Sequence, residues 1–114
     1  MEKSKQKSNK KNTPRFQRHF RKFHSKKTTG HPAYVYDKKN GNYRFIGITT
    51  SDNTNGVKNI SLDKNPEPNN KEKAYIRPKP MSLPTGTRND KLKGWKFTDA
   101  DKKKVQAIID KDKK

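Results

Sequence analysis

Pro32-Ala33-Tyr34-Val35-Tyr36, Asp37-Lys38-Lys39-Asn40-Gly41-Asn42 and Tyr43-Arg44-Phe45-Ile46-Gly47-Ile48-Thr49 read in succession as strand, turn and strand. Asn-Gly is the pair that best tolerates the positive φ angles a tight hairpin demands, and both flanks are rich in aromatic and β-branched side chains. Along the second strand Tyr43, Phe45 and Gly47 share one face, while Ile46 and Ile48 share the other. Apolar groups on both faces point to a central strand of a small β-barrel.

Beyond the hairpin, Ser51 to Asn59 reads as a loop, Ile60 to Leu62 as a brief strand, and Asp63 to Lys73 as a second polar loop. Ala74 to Arg77 supplies another short strand, and Pro78 and Pro80 behind it suit an edge, because proline cannot donate to a ladder. The period then becomes helical. Thr98 followed by Asp99 and Asp101 resembles a capping box with Asp in place of Glu, and Val105, Ile108 and Ile109 form the apolar stripe of a helix over about 99–112. Trp95, the single tryptophan, is expected to anchor the start of that helix on the sheet.

On the N-terminal side, residues 1–29 hold eleven Lys or Arg against one acid, Glu2, about +10 of the formal net charge of +19. The first dozen residues are low-complexity and self-repelling, so a basic, largely disordered arm is expected before a folded unit at 30–114. Within the arm, Phe16, Phe20 and Phe23 recur at i, i+4, i+7, with Thr13 and Pro14 ahead of them, which predicts a short helix over 14–24. Overall the chain reads as mainly β with a C-terminal helix. With 114 residues, 25% of them apolar, there is room for one domain.

Charge of this sign and clustering favours a polyanion, RNA or DNA, as partner. Arg15, Arg18, Arg21, Lys22, Lys26, Lys27, Lys58 and Arg77 are the candidate phosphate-binding residues, and Phe16, Phe20 and Tyr75 the candidate base-stacking residues. A cationic protein that occupies an acidic or nucleic-acid-binding surface of a protein partner, as inhibitors carried by mobile elements do, has the same charge signature. No cysteine excludes a disulfide or thiolate site, and His19, His24 and His31 are not spaced as metal ligands, so neither a metal nor a cofactor is expected. The absence of a long apolar stretch points away from the membrane and toward a bacterial cytoplasmic location.

The order of GHPAYVY, FIGITTS, AYIRPKP and a capped terminal helix resembles the landmarks of the PemK/MazF toxin family over roughly residues 30–110. That resemblance implies a small SH3-like β-barrel, metal-independent cleavage of single-stranded RNA, and the homodimer that family barrels form. The family's catalytic Arg falls on His31 and its catalytic Thr on Thr49, and imidazole and hydroxyl are competent for acid/base work and hydrogen-bond donation at a phosphodiester. Arg77 would face the phosphate. The Gly-Asp strand that precedes this landmark in typical members is missing here, where FQRHFRKFHSKKTTG stands instead.

Overall fold

A computed structural model of the chain describes residues 16–24 and 30–113. Arg15, Lys26, Lys27 and the first fifteen residues of the expected arm lie outside the described residues.

In chain order the strands are β1 His19–Phe23, β2 His31–Lys39, β3 Asn42–Thr49, β4 Asn53–Thr54, β5 Val57–Lys58, β6 Ile60–Ser61, β7 Tyr75–Ile76, β8 Met81–Pro84 and β9 Asn89–Leu92, followed by helix α1 Asp99–Asp112. The expected hairpin is β2–β3, turned at Asn40 (φ 53°) and Gly41 (φ 77°). Seven strands pair in the order β9-β1-β2-β3-β7-β6, with β8 joining β3 beside β7, and β4 and β5 form a separate two-residue ribbon. Among the described residues every pairing is antiparallel.

Three expectations are corrected. The helix over 14–24 is instead strand β1, which pairs with β2 on one side and β9 on the other. Phe20 and Phe23 mimic helical spacing, yet as strand residues of opposite parity they point to opposite faces, one into each apolar cluster of the molecule. The sheet is also open rather than a closed barrel, since its end strands β9 and β6 do not pair with each other. The outer edge of β3 is shared out: Asn42 to Phe45 pair with β8, and Ile48 and Thr49 with β7. Strands this short give no continuous edge on which to close. The third correction concerns β7, which lies between β3 and β6 rather than at an edge.

The two faces of the sheet carry different cores. Phe20, Tyr36, Ile46, Ile48 and Ile76 pack with Phe97, Val105, Ile108 and Ile109 under α1. Phe23, Ala33, Val35 and Phe45 form a smaller cluster on the other face, flanked by Phe16, Tyr43 and Leu83. The alternation read along β3 is therefore realised, with Ile46 and Ile48 toward the helix and Tyr43 and Phe45 away from it.

Helix α1 is anchored at both ends. Thr98 is its N-cap and accepts from the Asp101 backbone N–H at 3.1 Å. Asp101 does not complete the capping box. Its fully buried carboxylate accepts instead from the backbone N–H groups of Asp63 (2.8 and 3.0 Å) and Lys64 (3.2 Å), clamping the start of the 63–73 loop to the helix. At the other end, Asp112 accepts a bidentate pair from Arg44, Nε at 2.9 Å and Nη2 at 2.5 Å, and a further bond from the Tyr36 hydroxyl.

Candidate nucleic-acid interface

A β-bulge in the β2–β3 hairpin decides which side chains meet at its open end. From the turn, pairing starts Lys39↔Asn42 and runs through Asp37↔Arg44, a register that, continued, would set His31 across from Thr50. The register shifts between Val35 and Asp37, so that Val35 pairs with Phe45 and Ala33 with Gly47. Continued by two residues, the shifted register sets His31 across from Thr49, on the same face of the sheet.

That face opens into a cleft of about 350 Å³, whose apolar floor includes Phe23, Ala33 and Phe45 and whose polar rim includes His24, His31, Thr49 and Arg77. Arg77 comes from the residue after β7 and is fixed by its backbone N–H, which donates to the Gly47 carbonyl at 2.9 Å. Its side chain then runs over Gly47. A Cβ there would lie 3.1 Å from Arg77 Cγ, so the glycine makes the path for the arginine. Arg77 Nε is buried yet has no hydrogen-bond partner among the described residues. A guanidinium N–H withdrawn from water and left unpaired is costly, and a shift of the side chain toward an anion in the cleft would relieve that cost.

His24, at the end of β1, is the second imidazole on the rim, with Nε2 2.8 Å from Asp90 Oδ2 of β9. Sequence reasoning missed both residues as site groups, because their meeting depends on the β1–β9 pairing. His31 is exposed at the start of β2. The rim thus combines two imidazoles, one braced by a carboxylate, with a threonine hydroxyl and a guanidinium.

A second hollow of about 260 Å³ adjoins the first and shares His31, Pro32, Ile48 and Thr49 with it. Trp95 lines this hollow together with Asn65, Glu67 and Asn70 of the 63–73 loop. Trp95 also packs on the main core, with its ring centroid 5.8 Å from that of Phe20, so the expected anchoring role is met while part of it remains facing the hollow.

The remaining candidates scatter. Phe20 is buried in the main core and is withdrawn as a base-stacking group, and Phe16 is partly buried against the smaller cluster. Arg18 donates to Gln106 of α1 at 2.9 Å. Arg21, on the face of β1 away from α1, donates to His19 and Asn89 and lies over the Tyr43 ring at 5.0 Å. The stem of Lys22 crosses Gly30, Lys58 is exposed on the β4–β5 ribbon, and half-buried Tyr75 pairs with Thr49 in the sheet register. Of the named cations among the described residues, Arg77 alone lines the cleft.

Among the described residues no cluster of three or more His, Asp or Glu could hold a metal ion, and no helix is long and apolar enough to cross a membrane. Fold and site define a mainly β domain with one C-terminal helix and a two-part cleft at the open end of its central hairpin. No family model, no curated protein and no solved structure matches the chain.

Proposed function

We propose that this protein binds single-stranded nucleic acid, with one phosphodiester seated where Arg77, His31 and Thr49 converge. The observation that carries the reading is the Arg77 guanidinium on the rim of an open cleft, its buried Nε without a hydrogen-bond partner among the described residues. A phosphate oxygen is the natural acceptor for a guanidinium, and the net charge of +19 draws polyanions toward it. Half-buried Tyr75, paired with Thr49 in the sheet register, and Lys58, exposed on the β4–β5 ribbon whose Thr54 lines the cleft, extend the track. Fluorescence anisotropy with labelled single-stranded RNA, single-stranded DNA and duplex, across a salt series, tests it. Single strands should bind with a steep salt slope, and Arg77→Ala should weaken them by on the order of tenfold, the cost of a lost charge-assisted hydrogen bond. Undiminished affinity of Arg77→Ala would remove the cleft from the interface.

A second reading, metal-independent cleavage of RNA, is favoured by the two imidazoles on one rim. One imidazole would take the proton of a ribose 2′-hydroxyl as O2′ bonds to phosphorus, and the other would protonate O5′ as the P–O5′ bond breaks, leaving a 2′,3′-cyclic phosphate and a 5′-hydroxyl. The likeness of GHPAYVY and FIGITTS to PemK/MazF toxins supports this reading, and an opened SH3-like sheet belongs to the same proposal. Incubation of labelled RNA in EDTA separates the two readings: cutting that His31→Ala abolishes while binding survives supports cleavage, and intact RNA on wild-type protein rejects it.

A further inference from the structure

The hollow beside the phosphate cleft has the parts of a nucleobase pocket. Single-stranded nucleic acid is read in sequence by stacking an unpaired base on an aromatic side chain and hydrogen-bonding its Watson–Crick edge. Trp95 supplies the aromatic surface. Glu67 supplies a carboxylate that the loop holds in place: Asn70 Nδ2 donates to its Oε1 at 2.8 Å, and the Asn65 side chain accepts from its backbone N–H at 2.9 Å.

The frame around these two residues is pinned on several sides. Asn65 donates to the Glu72 carbonyl at 3.0 Å, and Asn70 accepts from the Glu72 N–H at 2.8 Å, closing the loop on itself. Buried Asp101 clamps the loop's first residues, and the Lys96 N–H donates to the Pro66 carbonyl at 3.2 Å, tying the Trp95 segment to the Glu67 segment. Aromatic wall and carboxylate therefore form one preorganised unit, which lowers the cost of ordering them around a ligand. In a chain with this excess of cations, Glu67 forms no ion pair among the described residues, and its bonded partner is the Asn70 amide.

We infer that this hollow selects guanine in the nucleotide next to the phosphate held by Arg77. A carboxylate offers acceptors only. Guanine presents N1–H and N2–H side by side on its Watson–Crick edge, two donors matched to two carboxylate oxygens. Adenine and cytosine each set a ring-nitrogen acceptor beside their single amino group, and uracil flanks its one N–H with two carbonyls, so each of these would bring an acceptor against the carboxylate. A cavity of about 260 Å³ has the volume to admit a purine ring system beside the indole. The inference rests on the cleft reading, because the hollow is contiguous with the cleft through His31 and Thr49.

The test titrates the full-length protein with four RNA pentamers, UUNUU with N as G, A, C or U. Labelled strands report affinity by anisotropy, and unlabelled strands report the intrinsic fluorescence of Trp95, the only tryptophan and thus a local probe. UUGUU should bind on the order of tenfold more tightly than the other three, the discrimination of one bidentate base contact, and should quench Trp95 most. Glu67→Gln, which replaces one acceptor by a donor, should bring UUGUU to the level of the other pentamers and leave those unchanged. Four equal affinities, or a guanine preference that persists in Glu67→Gln, would overturn the pocket while leaving the cleft reading intact. Failure of every pentamer to bind would overturn the cleft reading and the pocket together.

Discussion

Acidification in the presence and absence of one carboxylate should expose how the terminal helix is latched to the sheet. Asp112 lies at the C-terminal end of α1, where the helix dipole disfavours an acid. It is held by the bidentate Arg44 guanidinium and the Tyr36 hydroxyl, and these hydrogen bonds bring its pKa down to about 2 from an ordinary 3.8. The native state thus binds this proton more weakly than the unfolded chain does, so the latch stabilises fully above about pH 4, fades as pH falls toward 2, and contributes nothing below both values. The difference corresponds to about 2 kcal/mol, and solvent reaching Arg44, whose side chain is 35% exposed, trims that toward about 1 kcal/mol. Urea unfolding followed by Trp95 fluorescence, on wild-type protein and Asp112→Asn at about pH 6 and about pH 2, isolates the effect from every other carboxylate. The wild type should be the more stable by about 1 to 2 kcal/mol at the higher pH, with the gap closing at the lower. A gap of equal size at both pH values would show that charge on Asp112 is not what holds the helix.

Three further outcomes follow from the same geometry. Asp101→Ala strands the backbone N–H groups of Asp63 and Lys64, so it should cost about 2 to 3 kcal/mol in urea unfolding and speed amide exchange in the 63–73 loop ahead of the sheet. His19 has a lowered pKa, chiefly from burial and further from the charges of Arg21 and Lys91, which outweigh its bond to the Gln17 carbonyl; stability should therefore fall as pH drops below 6.5, and His19→Gln should flatten that part of a melting-temperature profile. Gly47→Ala places a methyl 3.1 Å from Arg77 Cγ, so it should displace the guanidinium and weaken single-strand binding several-fold in anisotropy, with a loss of stability under about 1.5 kcal/mol.

The parts of the fold legible in the sequence are those whose signals are local. Asn40-Gly41 announced the hairpin because positive φ leaves few residue choices, and Thr98 with the Val105, Ile108, Ile109 stripe announced the helix with its observed bounds of Asp99 and Asp112. Strand β1 was not legible, since three phenylalanines at helical spacing satisfy a helix template while serving two cores on opposite faces of a sheet. Strands β8 and β9, Met81–Pro84 and Asn89–Leu92, carry too little apolar alternation to announce themselves and owe their form to β3 and β1 beside them. Of the candidate site, His31, Thr49 and Arg77 were named from sequence and do line one cleft. The Asp90–His24 pair was not read as part of the site, because a contact across 66 residues requires knowing that β1 exists.

The bulge between Val35 and Asp37 shows how far a site can depend on a feature without a sequence signature. A regular ladder from the Asn40-Gly41 turn would oppose His31 to Thr50, with paired residues still sharing a face. Removing one residue from the count moves Thr49 into that place and, with it, puts Gly47 opposite Ala33, on the face where Arg77 must pass. The same shift leaves Tyr36 facing the helix core, where its hydroxyl reaches Asp112, and lets Arg44 serve the same carboxylate from the adjacent strand. One irregularity therefore sets both the latch of α1 and the composition of the cleft. Closing the bulge with every residue retained would slip one segment of β2 against β3 by one position and turn its alternation inside out, exchanging core and cleft side chains. The bulge is accordingly a requirement of the fold, and the pairing of His31 with Thr49 is its consequence.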